Sequence, residues 1–283
     1  MSTLFNSIQD FTELALEMSD ADLERKWVWK DYDSEGIRFA FFRTLEDLLS
    51  LEAFQLNRRK KGLSQAQQIL AGYHLAFRDL QAALLGVDES EYDRVPAKGE
   101  WSLRKVLTHI IEADLLFYVA IKNGLDDHRL RNGKLSKVSE EVWEEISETN
   151  DAEVDAILAG PINAALVYHE AVHAKTLSVL ADISNDELEK KTIYWEKEAM
   201  TLRFRLHRFE SHMRQHTIQM EKTLNMLNLH PNEINRLLRM IYNGLARAEN
   251  AMMGINESSL KVVNKYRKSI EDRTAELRGL FKK

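Results

Sequence analysis

Apolar side chains recur at alternating three- and four-residue steps along most of this chain, which is the spacing of one face of an α-helix. Four segments carry the clearest stripes: residues 64–87, 102–124, about 160–181 and about 199–228. No segment alternates convincingly with a period of two residues, and only 3 prolines and 11 glycines interrupt the chain. The pattern therefore predicts an all-α protein built around four long helices.

The connections between these helices suggest how the chain is organised. Pro96 and Gly99 break the chain between the first two helices, and Gly124 is expected to end the second. Residues 125–150 are polar and acidic, with one short helical piece, and form a long crossover to the third helix. We expect three regions: an N-terminal helical extension (1–62), a four-helix bundle (63–230) and a C-terminal helical extension (231–283).

The two extensions carry amphipathic helices whose apolar stripes need a partner. That partner is either the central bundle or a second subunit, which leaves a homodimer open. The N-terminal extension also contains a group of aromatic residues, which fit packing between extension and bundle or an interaction surface. They are Trp27, Trp29, Tyr32, Phe39, Phe41 and Phe42.

Composition and charge narrow the classes of function. The chain has no cysteine, which excludes disulfides, thiolate ligands and a cysteine nucleophile. Its formal net charge is −6, and the densest positive run, residues 57–61, fits the cationic end of a helix, so no nucleic-acid partner is expected. The sequence shows neither a signal-peptide pattern nor about 18 consecutive apolar residues, so we expect a cytoplasmic protein without membrane contact.

Two histidines in the motif HMRQH suggest a metal site. His212 and His216 are four residues apart, about 40° around a helix, so both imidazoles can face one ion. His109 lies beside the apolar stripe of the second helix, although a single histidine there is more often an ordinary core residue. Three imidazoles from two helices would leave a coordination position open, as in catalytic zinc or nickel sites. Gln219 shares the stripe and is expected to hydrogen-bond a ligand or bound water, whereas His207 is expected to face solvent.

The motif HEAVH, which begins at His169, matches the His-Glu-x-x-His helix of zinc metalloproteases. A protease site is not favoured, because no third ligand follows in a recognisable context and no strand is available to hold an extended peptide. His169 and His173 lie on the inward seam of the third helix. They remain candidates for a fourth ligand, a proton shuttle or a substrate anchor, or are buried polar residues bonded to their neighbours. We take His173 and Glu112, one turn after His109, as candidate catalytic residues, while Glu112 also fits a plain surface acid.

Two stretches together resemble the DinB-like superfamily: GEWSLRKVLTHIIEAD at 99–114 and LRFRLHRFESHMRQHTIQMEKTL at 202–224. The resemblance spans residues 63–230 and includes the Gly-Glu-Trp-Ser entry, the helix-two histidine, and His-x-x-x-His with a following glutamine. It implies a four-helix bundle with up-down-down-up topology. It also implies a divalent metal, commonly nickel, zinc or iron, bound by His109, His212 and His216, and it implies no DNA-binding surface.

The better-understood relatives in that superfamily are transferases that move low-molecular-weight thiols such as bacillithiol or mycothiol onto electrophiles, and others are classed as metal-dependent hydrolases. The resemblance therefore implies a metal-dependent enzyme acting on a small molecule, with thiol transfer placed slightly ahead of hydrolysis. Since the chain lacks cysteine, any thiol must come with the substrate. The competing hypothesis is a non-catalytic interaction or dimerisation module whose metal site is structural or vestigial.

Overall fold

The structure, a computed structural model, describes four stretches of the chain: residues 3–30, 36–194, 198–253 and 260–281. Tyr32 of the aromatic group lies outside them. The chain forms two compact units. The first contains residues 1–62, 78–86 and 230–283, and the second contains residues 63–77 and 87–229.

Helices make up most of the described residues and strands only a few, so the all-α prediction is confirmed. The helices are α1 (Thr3–Leu16), α2 (Arg38–Arg58), α3 (Gln65–Ala83), α4 (Leu103–Arg129), α5 (Glu140–Ser147), α6 (Asp151–Ala159), α7 (Ile162–Leu180), α8 (Asn185–Leu188), α9 (Leu202–Met226), α10 (Glu233–Met252) and α11 (Leu260–Phe281). Two short strands, β1 (Lys191–Thr192) and β2 (Met200–Thr201), pair antiparallel and are too short to show a period of two. No helix in the described ranges has the length and apolar character needed to cross a bilayer.

Helices α4 and α9 of the second unit are antiparallel neighbours. Near the start of α4, the backbone carbonyl of Trp101 lies 3.5 Å from the Thr223 hydroxyl, close to the end of α9. Further along α4, the ring of Phe117 contacts that of Phe209 nearer the start of α9, with centroids 5.6 Å apart. Because increasing numbers on one helix match decreasing numbers on the other, the two helices run in opposite directions.

Helices α4 and α7 run in the same direction. Arg104, at the start of α4, donates a hydrogen bond of 2.7 Å to the carbonyl of Gly160, which immediately precedes α7. Further along both helices, the ammonium of Lys175 on α7 lies 5.4 Å from the ring centroid of Tyr118 on α4. A parallel pair needs a long connection between its members. Residues 130–161, with the short helices α5 and α6, supply it.

Helix α3 is antiparallel to α7. The side chain of Gln67, near the start of α3, bonds the carbonyl of Ala181 after the end of α7. Further along α3, the ring of Phe77 contacts His169, near the start of α7, with centroids 4.9 Å apart. With α4 parallel to α7 and antiparallel to α9, the order α3, α4, α7, α9 has the up-down-down-up topology that the sequence predicts.

Gly124 does not end α4, contrary to the expectation from sequence. The helix continues to Arg129, and Gly124 is buried within it. A Cβ atom at position 124 would lie 2.5 Å from Oγ1 and 2.6 Å from Cβ of Thr192 on β1. The glycine is therefore required for the close approach of β1 to the helix, a packing reason that does not involve helix termination.

The N- and C-terminal helices pack on one another within the first unit. Helix α2 packs mainly against α10 and α1 mainly against α11, with further contacts of α11 on α2 and of α1 on α10. Trp27, Trp29 and Phe41 are buried in this core, while Phe42 is 37% exposed. The apolar stripes of the two extensions thus cover each other, so each extension is a partner of the other in addition to the two partners expected from sequence.

The positive run at residues 57–61 contacts the ends of two helices. Arg58 lies in the last turn of α2, and Arg59 reaches the end of α10. Helix α2 ends at Arg58, and the guanidinium of Arg59 donates hydrogen bonds to the carbonyls of Ala251 (3.0 Å) and Met253 (2.7 Å). These carbonyls belong to the C-terminal end of α10, where a positive charge is favourable.

Candidate metal centre

Three histidines of the second unit converge on one point. His109 comes from α4, and His212 and His216 come from successive turns of α9. One ring nitrogen of each lies within 4.8 Å of the others, and the Nε2 atoms of His109 and His212 are 3.1 Å apart. Two nitrogens bound to one tetrahedral ion at about 2.0–2.1 Å are separated by about 3.3 Å. The spacing is therefore close to that of two ligands sharing an ion.

Local structure fixes the two helices that carry these rings. The Ser102 hydroxyl accepts a hydrogen bond from the backbone N–H of Lys105 and caps α4, and Thr201 caps α9 through the N–H of Phe204. The predicted helix starts, at residue 102 and at about residue 199, lie within a few residues of these caps. With both helix starts fixed, antiparallel packing of α4 on α9 brings the second turn of one helix opposite the third and fourth turns of the other.

Aromatic rings surround the histidine cluster. Trp101 lies with its edge against His109, at 5.4 Å between ring centroids. Phe117 meets His212 in the same manner at 5.5 Å. His212 and His216 are each 6% exposed, whereas His109 is half-buried. The cluster is thus shielded on the side of α9 and reaches solvent beside His109.

Burial favours the neutral, metal-binding form of His109 and His212. Removal from water, followed by the positive charge of protonated His216, lowers the pKa of His109. The same causes, with smaller contributions from the charges of His109 and Arg208, lower the pKa of His212 to about 3. A neutral imidazole offers a nitrogen lone pair, so His212 is ready to bind a cation at neutral pH.

Gln219 determines which nitrogen of His216 is available. Its Oε1 atom lies 2.8 Å from Nδ1 of His216. An amide oxygen only accepts hydrogen bonds, so Nδ1 carries the proton and Nε2 keeps its lone pair. This is the hydrogen bond from a ligand to a neighbouring acceptor that metal-binding histidines commonly make.

The residues present fit a divalent cation. Three imidazoles form the set, and it contains no carboxylate. A set of three nitrogen ligands leaves at least one position of a tetrahedral ion for water or substrate, and imidazole suits zinc, nickel and iron. The exposed side of His109 is where such a molecule would enter.

Glu112 is exposed on α4 and does not belong to the histidine cluster. Partial removal of its carboxyl from water, followed by the negative charge of Asp155 on α6, raises its pKa. A raised pKa suits an acid or base near neutral pH. Because Glu112 lies outside the histidine cluster, its catalytic role stays a prediction.

The HEAVH motif lies in a separate polar network in the bundle core. Oδ2 of Asp114, on α4, accepts a hydrogen bond of 2.7 Å from the Tyr73 hydroxyl and lies 3.0 Å from Nε2 of His169. Asp114 and Tyr73 are fully buried. Burial, followed by the negative charges of Asp114 and Glu170, raises the pKa of Tyr73 well above its ordinary value, so its hydroxyl stays a donor.

His173 belongs to the same polar core. Its Nε2 atom lies 2.8 Å from Nδ1 of His74, and its ring stacks on Phe77 with centroids 3.8 Å apart. Neither His169 nor His173 is part of the set of three clustered ligands. The geometry matches the alternative of buried polar residues bonded to their neighbours. Sequence reasoning missed the partners Asp114, Tyr73 and His74, although Tyr73 lies on a predicted apolar stripe.

Comparisons with known sequences indicate the family to which this chain is related. The sequence profile of the DinB superfamily matches residues 73–220, more than half of the chain. A protein of Bacillus cereus (strain ATCC 10987 / NRS 248) named "Putative metal-dependent hydrolase" is 23% identical over 150 residues, which are 53% of this chain and 80% of that protein. A similarly named protein of Bacillus thuringiensis subsp. konkukian (strain 97-27) has the same identity and coverage.

Among solved structures, the chain is similar to YfiT from Bacillus subtilis, described as "a probable metal-dependent hydrolase with an unusual four-helix bundle topology". The similarity has a TM-score of 0.44 and 16% sequence identity, and covers 61% of this chain and 94% of YfiT. The profile match covers all three histidines of the cluster. The chain therefore belongs to the DinB superfamily.

Proposed function

We propose that this protein is a metal-dependent enzyme that acts on a small molecule, with His109, His212 and His216 as the metal ligands. The observation that carries the proposal is the meeting of three imidazole nitrogens within 4.8 Å, without a carboxylate among them and with one ring partly exposed. The relatives named as metal-dependent hydrolases support hydrolysis as the reaction. A bound divalent ion supplies a Lewis acid and lowers the pKa of a bound water to about 7.

The protein's own residues have distinct parts in this proposal. The three histidines hold the ion, and Gln219 keeps Nε2 of His216 directed at it. Phe117 and Trp101 pack against the ligand rings and limit their movement. Glu112 is the candidate general base, because its pKa is raised and it lies one turn after His109 on α4.

Thiol transfer is the second candidate. The cluster contains no carboxylate to take a proton from water, whereas a thiol loses its proton readily on binding a metal. The chain has no cysteine, so the substrate would bring the thiol. The alternative of a structural metal in an interaction module requires a closed site with four protein ligands.

Elemental mass spectrometry of the purified protein tests the metal site. We expect about one divalent ion per chain, its loss in His212→Ala and in His216→Ala, and its retention in the matched variants His207→Ala and His230→Ala. His207 lies on the same helix but is exposed. If the metal survives both substitutions at His212 and His216, or if His169→Ala and His173→Ala remove it while His109→Ala does not, the assignment is wrong.

Turnover distinguishes the two reactions. The metal-loaded protein is incubated with a panel of esters, amides and phosphoesters, and separately with low-molecular-weight thiols and a chlorobimane electrophile. Hydrolysis predicts product without added thiol, and transfer predicts product only with thiol. Both should disappear in His212→Ala. Full coordination by four protein ligands, seen by X-ray absorption spectroscopy, would instead favour the structural alternative.

A further inference from the structure

An arginine lies next to the histidine cluster. Arg208 is half-buried on α9, one turn before His212. Its guanidinium carbon is 5.8 Å from the centroid of the Phe117 ring, and the same ring meets the edge of His212 at 5.5 Å. Phe117 therefore contacts both side chains and places the guanidinium beside the metal ligands.

Arg208 differs from its neighbours in its partners. On the same helix, Arg203 pairs with Glu189 at 2.6 Å and Arg214 pairs with Glu210 at 2.8 Å. In the part of the chain that the structure describes, no acceptor is bonded to the guanidinium of Arg208. A guanidinium has five N–H donors, and no nitrogen of Arg208 is among the buried polar atoms that lack a partner, so these donors face solvent. An anionic ligand would satisfy these donors.

The surface around Arg208 has room for such a ligand. A depression of about 400 Å³ on α9 is lined by Phe204, His207, Arg208, Glu210, Ser211 and Arg214. The three histidines do not line it, and Arg208 connects it with the cluster through Phe117. Glu210 and Arg214 neutralise each other, which leaves the charge of Arg208 uncompensated. Phe204 is 48% exposed and gives the depression an apolar wall.

We propose that Arg208 binds the carboxylate of a substrate whose reacting group lies at the histidine cluster, so that the enzyme selects small molecules with one negative charge and an apolar body. This inference rests on the proposed function for the identity of the reacting site. A planar guanidinium matches a carboxylate through two parallel hydrogen bonds. A phosphate dianion fits less well, because a single guanidinium faces it and the Glu210 carboxylate lies in the same depression.

Binding of a matched pair of probes tests the proposal. Hexanoate and hexanamide have the same shape and differ in charge, and their dissociation constants are measured by ligand-observed NMR with the zinc-loaded and the metal-free protein. We expect both forms of the wild-type protein to prefer hexanoate by about tenfold, the usual effect of a charge-assisted hydrogen bond. Arg208→Gln should abolish the preference without weakening hexanamide binding, and Arg208→Lys should keep part of it.

The control is the double variant Glu210→Gln/Arg214→Gln, which removes the neighbouring ion pair without changing the net charge of the depression and should change the preference less than about twofold. Absence of the preference in the wild type, or its persistence in Arg208→Gln, would overturn the proposal. A preference confined to the zinc-loaded protein and independent of Arg208 would mean that the carboxylate binds the metal, which also overturns it. Failure of the protein to hold zinc would refute the proposed function, while the metal-free measurement would still decide the role of Arg208.

Discussion

Nδ1 of His216 and Oε1 of Gln219 lie 2.8 Å apart, one turn of α9 separating the two residues. Replacing Gln219 with leucine removes the acceptor that fixes the proton on Nδ1. We expect a 10- to 100-fold loss of metal affinity, the range found for residues that orient a metal-binding histidine. Competition with a chromophoric chelator measures this change.

Gln215→Leu is the matched control, since Gln215 is exposed on the same helix. It should leave the affinity within about twofold of the wild type. An equal loss in both variants would show that the effect comes from the helix as a whole and would remove the assigned role of Gln219.

The metal-free protein should lose stability in mild acid because of His212. Burial first, and then neighbouring positive charge, lowers its pKa to about 3, against about 6.5 in an unfolded chain. Between these values the unfolded state binds the extra proton. The contribution of His212 is therefore complete above about pH 6.5 and is lost as the pH falls towards 3.

Urea unfolding of the metal-free protein at about pH 7, 6 and 5 measures this dependence. Because carboxylates also titrate in acid, the comparison is with His212→Gln, which should show a smaller fall in unfolding free energy over the same range. Identical slopes for the two proteins would contradict the assigned shift in the His212 pKa.

The core network around Asp114 should contribute stability without holding the metal. Tyr73→Phe removes the hydroxyl that donates to the fully buried Asp114 carboxylate. We expect the free energy of unfolding to fall by about 1–3 kcal/mol, the usual cost of leaving a buried acceptor without its donor. Metal content should not change, as measured by elemental mass spectrometry beside the urea titration.

Tyr168→Phe on α7 serves as the control, because Tyr168 is half-buried and outside this network. It should alter stability by less than about 0.5 kcal/mol. Loss of metal in Tyr73→Phe or in His169→Gln would place the HEAVH network in the metal site and contradict the separation of the two clusters.

Gly124→Ala should destabilise the protein even though alanine is the better helix former. The new Cβ would overlap Oγ1 and Cβ of Thr192, and overpacking of this kind costs about 1–3 kcal/mol against a gain of about 1 kcal/mol in helix propensity. At Gly279 in α11, a Cβ meets no atom within 4 Å. Gly279→Ala should therefore be neutral or stabilising, and thermal unfolding of both variants decides the comparison.

Periodicity alone located the bundle helices and most of their buried faces. On α9, for example, Leu206, Phe209 and Met213 lie on the predicted stripe and are fully buried. The predicted end of α4 is wrong. Glycine commonly ends a helix, but Gly124 lies within α4 and leaves space for the side chain of Thr192. A contact between residues far apart in sequence leaves no mark in the local pattern.

The two histidine motifs show the same difference between what local spacing predicts and what tertiary contacts decide. In each motif, a spacing of four residues places the two histidines on the same face of their helix. This holds equally for His169 and His173 and for His212 and His216. Among the described residues, only the second pair forms a set of three clustered ligand nitrogens, together with His109. The first pair meets Asp114 and His74 and forms hydrogen bonds.

The amino-acid sequence by itself determined which side chains share a helical face, because helix geometry fixes the angle between residues on one helix. It also determined, through its resemblance to a known superfamily, which three histidines to consider together. Tertiary structure decided which faces meet, that Gln219 bonds His216, and that Arg208 lies beside the cluster without an acceptor among the described residues. These facts depend on the direction and register of packing between helices, which the sum of many weak apolar contacts sets and no single motif encodes.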